Sequence, residues 1–198
     1  MVTKLLGEQA ERRGLLSDGQ CGSRKRRSAI DEAANMVNRA HAAWGEGSLA
    51  GVLLMDIKAA FPGVRRGRLV HTMNGMGIQG GRIRWTASVL SDRNVEMVIE
   101  GNVIERRLVE AVMPQGLPVS PILFAIYTCG LITWVEVRVS TIEGLTLVDD
   151  IGWMATGSDL SQVVRKLESY ARESIDWAER RELEFDTTKT EAALFSPR

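Results

Sequence analysis

The first patterned stretch of the chain opens at Ser28, after which apolar side chains recur at Ile30, Ala33, Ala34, Val37, Ala40 and Trp44. That period marks one face of a helix, with Ser28 as its cap, Asp31 as a capping-box variant, and Gly45 and Gly47 as its end. Ahead of it, residues 1–27 read only as polar and glycine-containing, and finish in the basic run Arg24-Lys25-Arg26-Arg27. The run 51–57 (GVLLMDI) has strand length, and Asp56 falls where the apolar run gives out, so it is expected at a strand edge. Helical segments follow over 66–76 and 81–91, and the runs 95–99 and 103–108 flank Glu100-Gly101-Asn102 as a hairpin.

Beyond the breaker-rich stretch Met113-Pro114-Gln115-Gly116, residues 118–135 carry no charge over eighteen positions, the minimum length of a membrane helix. Pro118 and Pro121 hold the helix start near Ser120, and Ser120, Tyr127, Thr128 and Thr133 add polar groups. About fifteen helical residues remain, which suits a buried helix of a soluble protein. Strands are predicted over 145–148 and 151–155, with Asp149-Asp150 in the tight turn between them. A long amphipathic helix is predicted over 159–181, with Leu160, Val163, Val164, Leu167, Tyr170, Ile175 and Trp177 mostly on one side, and a last strand over 192–195. Apart from an insertion at about 66–112, the order is strand, helix, strand, strand, helix, strand. That order predicts an α+β, ferredoxin-like fold.

Composition agrees with a single folded domain: 198 residues, 44% hydrophobic and 25% charged. Cys21 and Cys129 stand far apart with no Cys or His at metal-ligand spacing, which predicts neither a disulfide framework nor a zinc site and fits a reducing compartment. The N-terminal residues lack the apolar core of a secretory signal, so an intracellular location, nuclear or cytoplasmic, is expected. A formal net charge of zero argues at first against a nucleic-acid partner, but the charge is unevenly placed. Residues 1–110 carry 17 basic and 12 acidic side chains, and residues 111–198 carry 8 and 13. A basic half for a phosphodiester backbone and an acidic half for metal ions suits a polymerase, although a solvated surface shows the same asymmetry by chance.

In a ferredoxin-like sheet the first strand and the central hairpin are neighbours, so Asp56 and the pair Asp149-Asp150 are positioned to converge. Nucleotidyl transfer by two divalent ions needs carboxylates grouped in this way, because magnesium takes hard oxygen ligands. An Asp-Asp turn read alone is ordinary hairpin chemistry, and a lone strand-end Asp is no more specific. The ordered set carries the weight.

Four segments in order resemble reverse transcriptases, most closely those of fungal non-LTR (LINE-like) retrotransposons. Met55-Asp56-Ile57-Lys58-Ala59-Ala60-Phe61 is similar to the motif whose first catalytic Asp is followed five residues later by an aromatic. The resemblance implies that Phe61 packs under the sugar of the incoming nucleotide and favours deoxynucleotides; read by itself it is a core Phe. Met113-Pro114-Gln115-Gly116-Leu117-Pro118-Val119-Ser120-Pro121 resembles the PQG loop leading into a helix beneath template and nucleotide, which implies substrate contacts for Gln115 and Gly116. Leu147-Val148-Asp149-Asp150 resembles the catalytic hairpin, with Asp149 the second metal ligand and Asp150 a less direct one. Thr188-Lys189-Thr190-Glu191 resembles the late motif whose Lys lies near the triphosphate and protonates the departing pyrophosphate; a solvated surface Lys reads equally well. Upstream, 19–28 (GQCGSRKRRS) is similar to the fingers segment Q-x-G-F-R-x-x-R-S, in which Arg24 and Arg27 would touch template and substrate phosphates.

The resemblance implies a polymerase palm over 51–198 and a partial fingers segment over 1–50, with earlier fingers motifs before residue 1 and a primer grip and thumb after Arg198. It implies an RNA-directed DNA polymerase using two Mg²⁺ (or Mn²⁺) ions held by Asp56, Asp149 and Asp150. Its partners would be an RNA template, a DNA primer and deoxynucleoside triphosphates, with no membrane, and the isolated chain would be weak or inactive. The rivals are an inactive retrotransposon remnant with weak nucleic-acid binding and, with less support, a palm-fold nucleotide cyclase. Pro62, Leu117 and Cys21 depart from commoner family residues, and none removes a catalytic carboxylate.

Overall fold

A computed structural model describes residues 2–22, 24, 27–91, 94–100, 102–108, 113–139, 143–147 and 150–196. Two helices, α1 (Val2–Arg12) and α2 (Ala29–Gly45), precede the central strand β1 (Leu49–Lys58). A short turn of helix α3 (Ala60–Gly63), then α4 (Arg66–Gly75), α5 (Gly80–Val89) and the hairpin strands β2 (Asn94–Ile99) and β3 (Asn102–Leu108) fill the stretch expected as an insertion. After them come α6 (Ser120–Thr128), α7 (Leu131–Arg138), β4 (Glu143–Leu147), β5 (Asp150–Gly157), α8 (Leu160–Arg180) and β6 (Glu184–Phe195).

The main sheet has strand order β4-β5-β1-β6, and each neighbouring pair is antiparallel. With α6 and α7 joining β1 to β4, and α8 joining β5 to β6, this is the ferredoxin-like topology expected from the element order. Alternation along β1 sends Gly51, Leu53 and Met55 toward one face and Ala50, Val52 and Leu54 toward the other. Helix α8 covers the first face at close range: a Cβ on Gly51 would sit 2.5 Å from the Val163 side chain. Helix α2 covers part of the second, where Ala40 and Ala43 pack on Ala50, Val52 and Met154.

Three elements differ from the sequence pattern. Helix α1 was not expected: its apolar stripe, Val2, Leu5, Leu6 and Ala10, is short, and only Leu6 and Ala10 are buried. The uncharged run breaks at Cys129-Gly130 into α6 and α7. Residues Ser120–Arg138 are long and apolar enough to cross a membrane by length and composition, yet every α6 residue except Pro121 is buried in the protein. Strand β6 begins at Glu184 instead of 192, because its first half is a polar edge with Phe185 as its buried anchor.

The faces differ too. In α2 only the C-terminal half meets the sheet, so Ile30 and Val37 are 80% and 50% exposed despite their helical spacing. The side chain of Asp31, the expected capping partner, lies outside the described residues. In α8, Val163, Leu167, Tyr170 and Trp177 are buried as expected, while Leu160, Val164 and Ile175 face solvent. Both cysteines are free thiols.

The edge strand β4 is fitted to a large partner. Gly144 lies opposite Trp153, and a Cβ there would fall 2.1 Å from the fully buried indole. Trp153 packs in turn on Tyr170, ring centroids 6.1 Å apart, so the indole has nowhere to move. Gly144→Ala is therefore expected to destabilise the fold by about 2 kcal/mol or more, read as a lowered denaturation midpoint with the slope unchanged.

Candidate active site

Three aspartates stand in one row across the sheet. In the antiparallel register Asp56 of β1 lies opposite Asp150 of β5 on one side and opposite Asp186 of β6 on the other. Directly opposed side chains project to the same face with Cβ atoms about 5 Å apart, so the row concentrates negative charge at one end of the sheet. Asp56 and Asp150 were expected together; Asp186 was not. Asp149 lies outside the described residues.

The pairing of β1 with β6 slips between Leu54, which faces Glu191, and Asp56, which faces Asp186. The surplus residues of β6 fold into a tight local structure. The Thr188 amide and hydroxyl both donate to Asp186 Oδ1, at 3.0 and 2.6 Å, and the Thr190 hydroxyl donates to the Asp186 carbonyl at 3.2 Å. The Thr188 bonds hold the Asp186 carboxyl below the usual carboxylate range, so it stays charged. This bulge turns Lys189 back over the sheet, where its ammonium lies 2.8 Å from Asp56 Oδ2 and 4.0 Å from Asp186 Oδ2. The Lys189 side chain is 63% exposed and that of Asp56 only 20%, so the pair lies at the mouth of the site. Two residues further along the register, Lys58 pairs with Glu184 at 3.2 Å.

Among the described residues no group of three His, Cys, Asp or Glu side chains is placed to hold a metal ion. The described donors at this end of the sheet are hard carboxylate oxygens, the type a magnesium site uses.

The other expected site residues fall into two groups. Phe61, in α3, is half-buried and packs on Phe124 of α6, centroids 5.4 Å apart, which ties the segment after Asp56 to the helix after the PQG loop. Ala59 takes a left-handed conformation, φ 48°, to turn the chain from β1 into α3. In the loop itself Gln115 and Gly116 are exposed, and Gly116 has φ 90°, a conformation that favours glycine. The loop is pinned at its ends by buried Met113 and by the Ser120 hydroxyl, which donates to the Pro114 carbonyl at 2.6 Å.

Of the 19–28 segment, Arg24 and Arg27 are engaged within the protein. Arg24 makes a two-pronged bond to Glu11, both contacts 2.8 Å, and donates to the Ser17 and Gln20 carbonyls at 2.7 and 3.1 Å. Arg27 bonds to the Asp18 carbonyl and carboxylate. Gln20 is buried, donates to the Ala125 carbonyl of α6 at 2.8 Å, and bridges in parallel to Thr146 of β4. The segment thus bridges to β4 at Thr146 and fastens that strand to the helix behind the PQG loop.

The family model described as "Reverse transcriptase (RNA-dependent DNA polymerase)" matches residues 1–196. The chain belongs to the reverse transcriptase family. No curated protein matches the sequence. Solved structures similar to it include apo telomerase from Candida tropicalis, at TM-score 0.73 and 13% identity over 97% of this chain and 36% of that one. A form of the same enzyme truncated from its C-terminal domain gives 0.70 at 13% identity, covering 100% of this chain and 40% of that one. Telomerase from Candida albicans, in complex with a fragment of telomeric RNA, gives 0.69 at 12%, covering 97% and 34%. At such identities the likeness establishes the polymerase palm fold alone. This reverse transcriptase chain spans 40% or less of the length of these neighbours.

Asp186 is the site residue that the sequence reading missed. Its signal was the spacing Asp186-x-x-Lys189, which means little until the last strand is known to start at Glu184.

Proposed function

We propose that this chain is the palm (51–198) and part of the fingers (1–50) of a non-LTR retrotransposon reverse transcriptase. It would add deoxynucleoside monophosphates to a DNA primer 3′-hydroxyl on an RNA template. The observation that carries the reading is the register of Asp56 with Asp150, with Lys189 bonded to Asp56, inside a ferredoxin-like sheet. Asp56, Asp149 and Asp150 are the carboxylates assigned to two Mg²⁺ ions, with Mn²⁺ as a substitute. Bound there, the ions would activate the attacking hydroxyl and offset charge on the triphosphate. Lys189 is assigned to give a proton to the departing pyrophosphate. Gln115 and Gly116 are assigned to the nucleotide, and Arg24 and Arg27 to phosphates, which Arg24 would reach only by releasing Glu11.

Primer extension on an RNA template with Mg²⁺ or Mn²⁺ tests this, comparing the chain, its Asp149→Ala variant and a polypeptide lengthened at both ends. Extension by the lengthened polypeptide, lost on Asp149→Ala, is expected. If neither length extends a primer while both fold, the chain is an inactive remnant and the reading fails.

Phe61→Val is expected to lower discrimination against ribonucleotides by about tenfold in an active polypeptide, through loss of the ring that would lie under the sugar. Unchanged selectivity, measured as the ratio of kcat/KM for matched deoxy and ribo substrates, would reduce Phe61 to its packing on Phe124.

A further inference from the structure

Like charges directly opposite one another destabilise a sheet, so the row Asp150, Asp56, Asp186 needs an explanation. Asp150 and Asp56 have one in the proposed chemistry. Asp186 does not, and its carboxylate is oriented with care: Thr188 takes one oxygen with two hydrogen bonds, leaving Oδ2 turned toward the Lys189 ammonium. Lys189 therefore stands between two carboxylates, bonded to Asp56 at 2.8 Å and 4.0 Å from Asp186. A four-carbon stem, largely exposed, lets the ammonium pass from one to the other without backbone movement.

A divalent cation and an ammonium compete for the same carboxylate oxygen. A cation bound through Asp56 Oδ2 must displace Lys189 or share that oxygen with it. We propose that Asp186 is a positioning residue for Lys189, receiving its ammonium when a divalent cation claims the Asp56 carboxylate. The inference rests on the proposed metal role of Asp56. It gives the bulge in β6 a purpose, since the Thr188 and Thr190 bonds fix the second acceptor beside the first. It also keeps the proton donor in the site while the carboxylate it leaves is in use.

The test is Mn²⁺ binding, followed by water-proton relaxation, in the wild type, Lys189→Met, Asp186→Asn and the double variant, with Asp56→Asn defining the site. Removing the competing ammonium is expected to tighten Mn²⁺ by about fivefold, and removing its alternative partner to weaken it by a similar factor. In the Lys189→Met background Asp186→Asn is expected to change binding less than about twofold, because its effect passes through Lys189. Equal weakening in both backgrounds would make Asp186 a direct contributor to the cation and overturn the proposal. So would no response to Lys189→Met while Asp56→Asn still abolishes binding; the metal reading would then survive alone. If Mn²⁺ binding is absent or indifferent to Asp56→Asn, the metal reading falls and this inference falls with it.

Discussion

Asp56→Asn is expected to lower primer extension by about three orders of magnitude or more, and to leave the melting temperature unchanged or raised. The catalytic loss follows from the proposed chemistry: a neutral amide is a poor ligand for a hard cation, and metal stabilisation of transition-state charge amounts to several kcal/mol. The stability gain follows from the sheet. Asp56 is flanked in register by Asp150 and Asp186, and its side chain is only 20% exposed, so its charge is repelled from both sides and partly withdrawn from water. Lys189 offsets part of this, and Asn keeps an oxygen able to accept from the same ammonium. Single-turnover extension and thermal melting of one preparation decide the matter. A melting temperature that falls with activity would make Asp56 a structural partner of Lys189, and extension that persists at wild-type rate would remove it from the chemistry.

The sequence showed the parts of the site whose signal is local. An apolar run of strand length that ends in a carboxylate marks β1 and Asp56, and the spacing of Val163, Leu167, Tyr170 and Trp177 marks α8 because that helix lies directly on the sheet. Helix α1 escaped because its stripe of Val2, Leu5, Leu6 and Ala10 is only about three turns long and is interrupted by Gly7. The first half of β6 escaped for a related reason: an edge strand rich in Thr and charge has almost no buried face, so alternation is lost. Asp186 was hidden with it.

The meeting of Lys189 and Asp56 lies a level deeper. It depends on the register slip between Leu54 and Asp56, which places residues 133 positions apart within 2.8 Å. No pattern within either strand encodes a slip between them. Family resemblance supplied Lys189 as a residue of interest, but only the bulge shows which carboxylate holds it. The apolar spacing of Ile30 and Val37 misleads in the opposite direction. Both belong to a helical face, yet that end of α2 overhangs the sheet, where Met36 and Val37 with Leu54 and Phe195 line an open groove of about 280 Å³.

Arg24→Ala is expected to destabilise the protein by about 2 to 3 kcal/mol, more than a surface arginine would. Its side chain is 7% exposed, and the guanidinium joins α1 to the Gln20 segment through Glu11 and the Ser17 and Gln20 carbonyls. Truncation strands a carboxylate and two carbonyl groups, and loss of charge-assisted bonds of this kind costs more than loss of an exposed pair. Lys is not expected to restore the loss, because a single ammonium cannot span both Glu11 oxygens and the two carbonyls in the same plane. The pH dependence gives an independent sign. The Arg24 hydrogen bonds hold the Glu11 carboxyl below its ordinary range, so this stabilisation is fully present above the unfolded-state value and is lost as pH falls through the folded one. The difference in unfolding free energy between wild type and Arg24→Ala should therefore be widest near neutral pH and narrow in acid. A variant that keeps its stability at all pH values but shows a severalfold higher KM for nucleotide would place Arg24 on substrate phosphates, as the resemblance implied, and would mean that the Glu11 pairing yields to substrate in the working enzyme.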